Sequence, residues 1–194
     1  MVTCSRWLLI AAAFVLASHS AHASPFFMGL GDLPGGSFNS EAESVSADGS
    51  VVVGRGRNAN DDNEAFLWNG SMVGLGTLGS NDESQARSVS ADGMVVVGVS
   101  GGEAFRWEDQ VMEGLGDLAG GSFQSMAFGV SDDGSVIVGL GNSDDGQRAF
   151  VWDQDTGMRS IQDILEDHLG IDLSGWELIA PPRRLSSHVA HHCA

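Results

Sequence analysis

The chain repeats itself three times, and few folds can be built from a sequence that does so. Gly29-Leu30-Gly31-Asp32-Leu33 returns as Gly74-Leu75-Gly76-Thr77-Leu78 and as Gly114-Leu115-Gly116-Asp117-Leu118. Val45-Ser46-Ala47-Asp48-Gly49 returns as Val89-Ser90-Ala91-Asp92-Gly93 and as Val130-Ser131-Asp132-Asp133-Gly134. An apolar run ending in glycine follows each time, over 51–54, 95–98 and 136–139. The last block is aromatic: Glu64-Ala65-Phe66-Leu67-Trp68, Glu103-Ala104-Phe105-Arg106-Trp107 and Arg148-Ala149-Phe150-Val151-Trp152. Equivalent blocks lie 39 to 45 residues apart and never change order. Units of that length bury their apolar faces on one another, so the copies stack.

Within a copy the cues are those of strands. Residues 42–46 alternate small or apolar with polar, and Asp48-Gly49 is a strong hairpin turn. Val51-Val52-Val53 is β-branched and apolar on both sides, as an inner strand should be. A Gly/Asn/Asp-rich loop follows in each copy, over 55–63, 99–102 and 140–147. The aromatic block then sets Ala and the middle residue on one face, Phe and Trp on the other. Asn69-Gly70 turns the chain into a fourth strand over 72–75. Helical spacing is confined to Ile161, Ile164, Leu165 and Leu169. The predicted fold class is all-β: a repeat protein of propeller-like blades, each of about four short antiparallel strands. Three recognisable repeats leave the ring incomplete, since propellers close with about four to eight blades. The glycines and tryptophans at fixed places (Gly29, Gly31, Gly49, Trp68, Gly74, Gly76, Gly93, Trp107, Gly114, Gly116, Gly134, Trp152) read as structural. Asp48, Asp92 and Asp133 read as turn residues that hydrogen-bond their own backbone.

The combination GLGxL, VSxDGxVVVG and EAFxW resembles the HAF repeat of bacterial extracellular and autotransported proteins, over about residues 29 to 158. The resemblance implies an exported, multi-repeat β protein, propeller-like and without an established enzymatic activity. This chain departs from the pattern in having three copies where longer relatives carry more. Its last unit also starts, at Met158 to Leu165 and Gly175-Trp176-Glu177-Leu178, without reaching another Ser-x-Asp-Gly. Pro181-Pro182-Arg183-Arg184 and a His-rich end stand there instead, as in a truncated or frame-shifted chain.

The expected organisation is a signal peptide over 1–23, a β-repeat domain over 24–179 and an irregular His-rich tail over 180–194. The repeats fall near 29–73, 74–113 and 114–158, with a partial unit over 159–179. Arg6, the apolar stretch Trp7 to Ala17 and Ala21-His22-Ala23 make a leader with cleavage after Ala23. Its apolar stretch is too short to span a bilayer, so a secreted, extracellular or periplasmic product is expected. Removing the leader removes Cys4 and leaves Cys193 alone, without an intramolecular disulfide. The charge is −17, from 26 acids against nine basic residues, all of them Arg. That balance excludes nucleic acid as a partner, because phosphate binding needs clustered basic groups.

Sites with chemistry are sparse. Gly74 to Gly79 matches G-x-G-x-x-G, but Ser80-Asn81-Asp82-Glu83 follows where a nucleotide-binding helix would open, so the glycines read as structural. Asp61 and Asp62 in one loop, Asp144 and Asp145 in another, are candidate Ca²⁺ ligands; solvated turn chemistry is the plainer reading. His188, His191, His192 and Cys193 have the chemistry of a metal cluster but no evident frame. No histidine falls in a repeat, so a Ser-His-Asp arrangement is not arguable and no catalytic residue is assigned. The expected function is therefore non-enzymatic: a binding or cell-surface module for an extracellular glycan or protein. A homodimer completing the ring is the expected assembly. The alternatives are a propeller hydrolase acting on extracellular carbohydrate, with two converging acids, or a fragment of a longer repeat protein.

Overall fold

The computed structural model describes residues 27–80, 83–176 and 178. The expected leader, its cleavage point and the His-rich tail lie outside them. Among the described residues, twelve strands form three four-stranded antiparallel sheets, each paired in chain order. The first holds β1 (Ser40–Val45), β2 (Val52–Arg57), β3 (Asn63–Trp68) and β4 (Met72–Gly74). The second holds β5 (Ser84–Val89), β6 (Val96–Ser100), β7 (Glu103–Glu108) and β8 (Val111–Gly114). The third holds β9 (Ser125–Val130), β10 (Val136–Ser143), β11 (Gly146–Asp153) and β12 (Gly157–Ser160). These are the propeller-like blades that the repeats predict.

The Ser-x-Asp-Gly motif builds the first turn of every sheet. Asp48 Oδ1 accepts the Ser50 N–H at 2.9 Å and the Ser46 hydroxyl at 2.7 Å. Ser46 Oγ in turn accepts the Val51 N–H at 3.0 Å, and Gly49 takes a φ of 74° that a side chain would resist. Ser90/Asp92/Gly93 and Ser131/Asp133/Gly134 repeat the arrangement. The apolar run ends in glycine for a different reason. A register shift in the first strand, between Ala42 and Ser44 or Ala86 and Ser88, pushes its backbone toward the neighbour. A Cβ at Gly54 or Gly98 would run into the carbonyl of Glu41 or Gln85.

The sheets stack face to face, and both sides of the aromatic strand are used. Val53, Ala65 and Leu67 of the first sheet meet Ala86, Val89, Val96 and Phe105 of the second. Val97 and Ala104 of the second meet Ala127, Ile137 and Phe150 of the third. Phe66, Phe105 and Phe150 are fully enclosed, each burial stabilising by about 1.5–3 kcal/mol. Trp107 and Trp152 pack against these layers, and they and Trp68 are half-buried.

Hydrogen bonds tie each seam. Ser84 Oγ accepts the Ala65 N–H of the preceding sheet at 2.9 Å and donates to the Gly76 carbonyl at 2.6 Å. Ser125 Oγ does the same with Ala104 and Gly116. The turns are also joined in series, Ala47 N–H to the Ala91 carbonyl and Ala91 N–H to the Asp132 carbonyl, each at 3.0 Å.

The third sheet ends differently. Ser160 pairs with Phe150 as Gly74 pairs with Phe66 and Gly114 with Phe105, so Ile161 stands where Leu75 and Leu115 leave their strands. In place of a glycine turn, α1 (Ile161–Asp163) starts there, capped by Ser160, and continues as a π-helical turn over Ile164–His168. This is the predicted helical stretch, but none of its residues is fully buried and Leu169 is exposed. Further on, the Leu178 carbonyl accepts the Ala149 N–H at 2.8 Å. It occupies the place that Ser84 Oγ and Ser125 Oγ hold at the two seams. Among the described residues no helix is long and apolar enough to cross a membrane.

Candidate binding surface at the loop end

Antiparallel order separates the connections by end. The Ser-x-Asp-Gly turns gather at one end of the stack. At the other lie the β2–β3, β6–β7 and β10–β11 loops and the connectors that enter each sheet. The entry connectors press onto the loops of their own sheets: Gly36 meets the Arg57 carbonyl, Gly35 meets Ala59, and Gly121 meets Ser143. The glycines there admit a backbone contact that any Cβ would block.

Carboxylates fix this layer. Glu64 Oε1 accepts the Gly76 N–H at 3.0 Å, and Glu103 Oε1 accepts the Gly116 N–H at 3.0 Å. Each carboxylate fills the space beside Gly74 or Gly114 where a Cβ would sit. Sequence reading missed these two residues. The available signal was their joint disappearance: the third copy has Arg148 in place of Glu and Ser160-Ile161-Gln162 in place of Gly-Leu-Gly. Asp117 spans its connector, its Oδ1 accepting the N–H groups of Leu118 at 2.8 Å and Asn142 at 2.9 Å, its Oδ2 that of Gln124 at 2.6 Å. Asp32 holds Leu33 and Asn39 in the same manner.

So braced, the connectors project two aromatics. Phe38 is 88% exposed and Phe123 is 65% exposed. Both close a Gly-Gly-Ser-Phe run, Gly35 to Phe38 and Gly120 to Phe123. Acidic loops flank them. Asp61, at a φ of 64°, accepts both the Ser37 hydroxyl at 2.6 Å and the Ser37 N–H at 3.2 Å. Those bonds, the hydroxyl's first, hold the Asp61 carboxyl below the usual range. Asp62 beside it is exposed. Asp144 packs against Gly120, while exposed Asp145 gives its N–H to Ser143 Oγ at 3.3 Å. Asp61 and Asp144, read as Ca²⁺ candidates, thus brace the Phe-bearing connectors. Among the described residues no three His, Cys, Asp or Glu side chains gather as a metal-holding group.

Two cavities open at this end. One, of about 330 Å³, lies between the first and second sheets and is lined by Arg55, Asn63, Glu83, Ser84, Gln85 and Val99. Its polar groups are poised by neighbours. Arg55 pairs with Glu41 at 2.7 Å, Asn63 Nδ2 donates to Glu83 at 3.1 Å, and Gln85 Nε2 donates to Glu43 at 2.9 Å. The other, of about 400 Å³, sits above the first sheet among Leu33, Pro34, Asn58, Ala59 and Glu64. Both fall in the size range of small-ligand sites, about 300–1,000 Å³. Amide, carboxylate and guanidinium groups supply donors and acceptors for a hydroxyl-rich ligand, and an exposed ring supplies an apolar face to stack on.

At the turn end, by contrast, the carboxylates are occupied. Asp48 is held at about 2, first by the Ser50 N–H and then by the Ser46 and Ser50 hydroxyls. Asp133 is held at about 2, first by the Ser131 hydroxyl. Asp92 is lowered chiefly by the Ser90 hydroxyl. The glycine-rich run from Gly74 to Gly79 leaves β4 and enters the connector to β5, with Gly76 at a φ of 81° and no helix behind it.

Among solved structures, the chain is similar to TolB from Acinetobacter baumannii (TM-score 0.44, 16% identity, 63% of this chain against 32% of that one). It is also similar to a putative TolB from Agrobacterium tumefaciens (TM-score 0.44, 15% identity, 63% against 49%). The chain thus spans about a third of the length of the first of these structures and about half of the second. No protein-family model matches the sequence, and neither does any curated protein sequence.

Proposed function

We propose that this chain is an exported, non-enzymatic binding module of the HAF-repeat type, which takes a carbohydrate polymer at its loop end. One observation carries the reading. Repeated carboxylates and serines at the turn end and the seams are engaged in holding the scaffold, whereas the loop end combines two cavities with two exposed phenylalanines. Aromatic faces at the same end of the stack as hydrogen-bonding amides and acids suit the alternating apolar and hydroxyl faces of a sugar polymer. The excess of acid also favours neutral or cationic polymers over anionic ones. The resemblance of the repeats to exported proteins and the leader-like first 23 residues support the extracellular setting.

A panel of soluble neutral, cationic and anionic polysaccharides, offered to the folded chain in an equilibrium binding assay, tests this. Saturable binding of a neutral or amino-sugar polymer is expected. Uniformly negative results with a sample whose circular dichroism shows folded β structure would overturn it.

A further inference from the structure

Each seam has two halves, and the described residues leave one half of each kind spare. On the receiving side, Val89 of the second sheet is 8% exposed beneath the first sheet, and Ala86 and Ser84 are buried with it. Their counterparts on the first sheet are Val45, Ala42 and Ser40; all three are exposed, Val45 by 56%. On the giving side, Val51 presses onto the turn glycine of the next sheet, its Cγ2 at 2.6 Å from where a Gly93 Cβ would be. Val95 presses onto Gly134 at the same 2.6 Å. The third member of that series, Val136, is 38% exposed, and among the described residues nothing lies within 4 Å of the Cβ position at Gly49. The hydrogen-bonded series of turns likewise starts at Ala47 and stops at Asp132.

We propose that these spare halves fit each other across two copies of this chain, which associate head to tail. Val136 of one copy presses onto Gly49 of the other, and Val138, Ala149 and Val151 cover Ala42 and Val45. The Ser40 hydroxyl takes the Ala149 N–H that the Leu178 carbonyl otherwise accepts, so docking displaces Leu178. The occupant is a second copy because the spare halves carry the counterparts (Val138 and Ala149; Ala42 and Val45) of residues that already meet twice within the chain. Two such contacts close a ring of six sheets, within the roughly four to eight blades that propellers use, so the assembly stops at a dimer with a two-fold axis.

Light scattering on the purified full chain, over a wide concentration range, should give the mass of two chains. Val45→Glu and Val136→Asp should each weaken association roughly tenfold or more. Both positions are already exposed in the single chain, so the folded spectrum should be kept. Mixing the two variants should restore association, because the sound halves of each then meet. A monomer at every concentration, a dimer indifferent to both substitutions, a ladder of larger masses, or a mixture no better than its components would each overturn the proposal.

Discussion

The two ends of the stack are made from similar residues used in opposite ways. At the turn end, Ser, Asp and Gly recur three times, and their polar atoms are engaged within and between turns. At the loop end the copies diverge in length and composition, from the five residues of 58–62, four of them polar, to the bare Gly101-Gly102. There Ser37, Asp61, Asp117 and Asp144 brace connectors rather than one another across copies. The lesson is one of division: the turn end recurs in all three copies and holds the sheets together, whereas at the loop end only the first and third copies share the Gly-Gly-Ser-Phe run, and its rings stay exposed.

That comparison can be broken by substitution, most severely at the seams and turns. Gly98→Val should have the largest effect, because its side chain meets the Gln85 carbonyl with no room to shift. A loss of about 3 kcal/mol or more, read by denaturant unfolding, is expected. Ser125→Ala comes next. It strips the Ala104 N–H of its acceptor and the Gly116 carbonyl of a donor at a buried seam, at about 1–3 kcal/mol.

Acidification should act on the turns more gently. The carboxyls of Asp48 and Asp133 sit at about 2 in the fold, against an ordinary 3.8. A lowered value means the folded state favours the ionised group. The turns therefore contribute fully above about pH 4 and lose that contribution as the pH falls toward 2. Melting temperatures recorded down this window should fall in the native chain and fall less in a Asp48→Asn/Asp133→Asn variant. Smallest of all on stability is Phe38→Ser with Phe123→Ser. Both rings are exposed, so unfolding should shift by less than about 0.5 kcal/mol.

Much of the scaffold was legible in the sequence because each of its signals is local. Asp48-Gly49 and its copies announce hairpins through their own backbone demands, and Ala-Phe-x-Trp announces a strand with two packed faces through alternation alone. The seam residues were not legible. Ser84 reaches back to Ala65 and Ser125 to Ala104, contacts that exist only once sheets are stacked. Nor was the role of Glu64 and Glu103, whose partners Gly76 and Gly116 lie across a strand pair. Phe38 and Phe123 hid for the opposite reason: an exposed ring makes no pattern of its own, and its meaning comes from the bracing around it. Composition offered the acidic loops two readings, cation ligands or turn chemistry, and it could not show that the Asp61 carboxylate accepts from Ser37 of the entry connector.

The division between a holding end and a proposed binding end is tested most directly by titrating one polysaccharide that binds the native chain against two variants, with melting followed in parallel. Phe38→Ser/Phe123→Ser should lose roughly tenfold or more in affinity with its melting unchanged, whereas Asp92→Ala should melt earlier and bind as the native chain does below that point. The reverse pattern, with binding untouched by the loop-end pair and abolished by the turn substitution in a folded sample, would contradict the account.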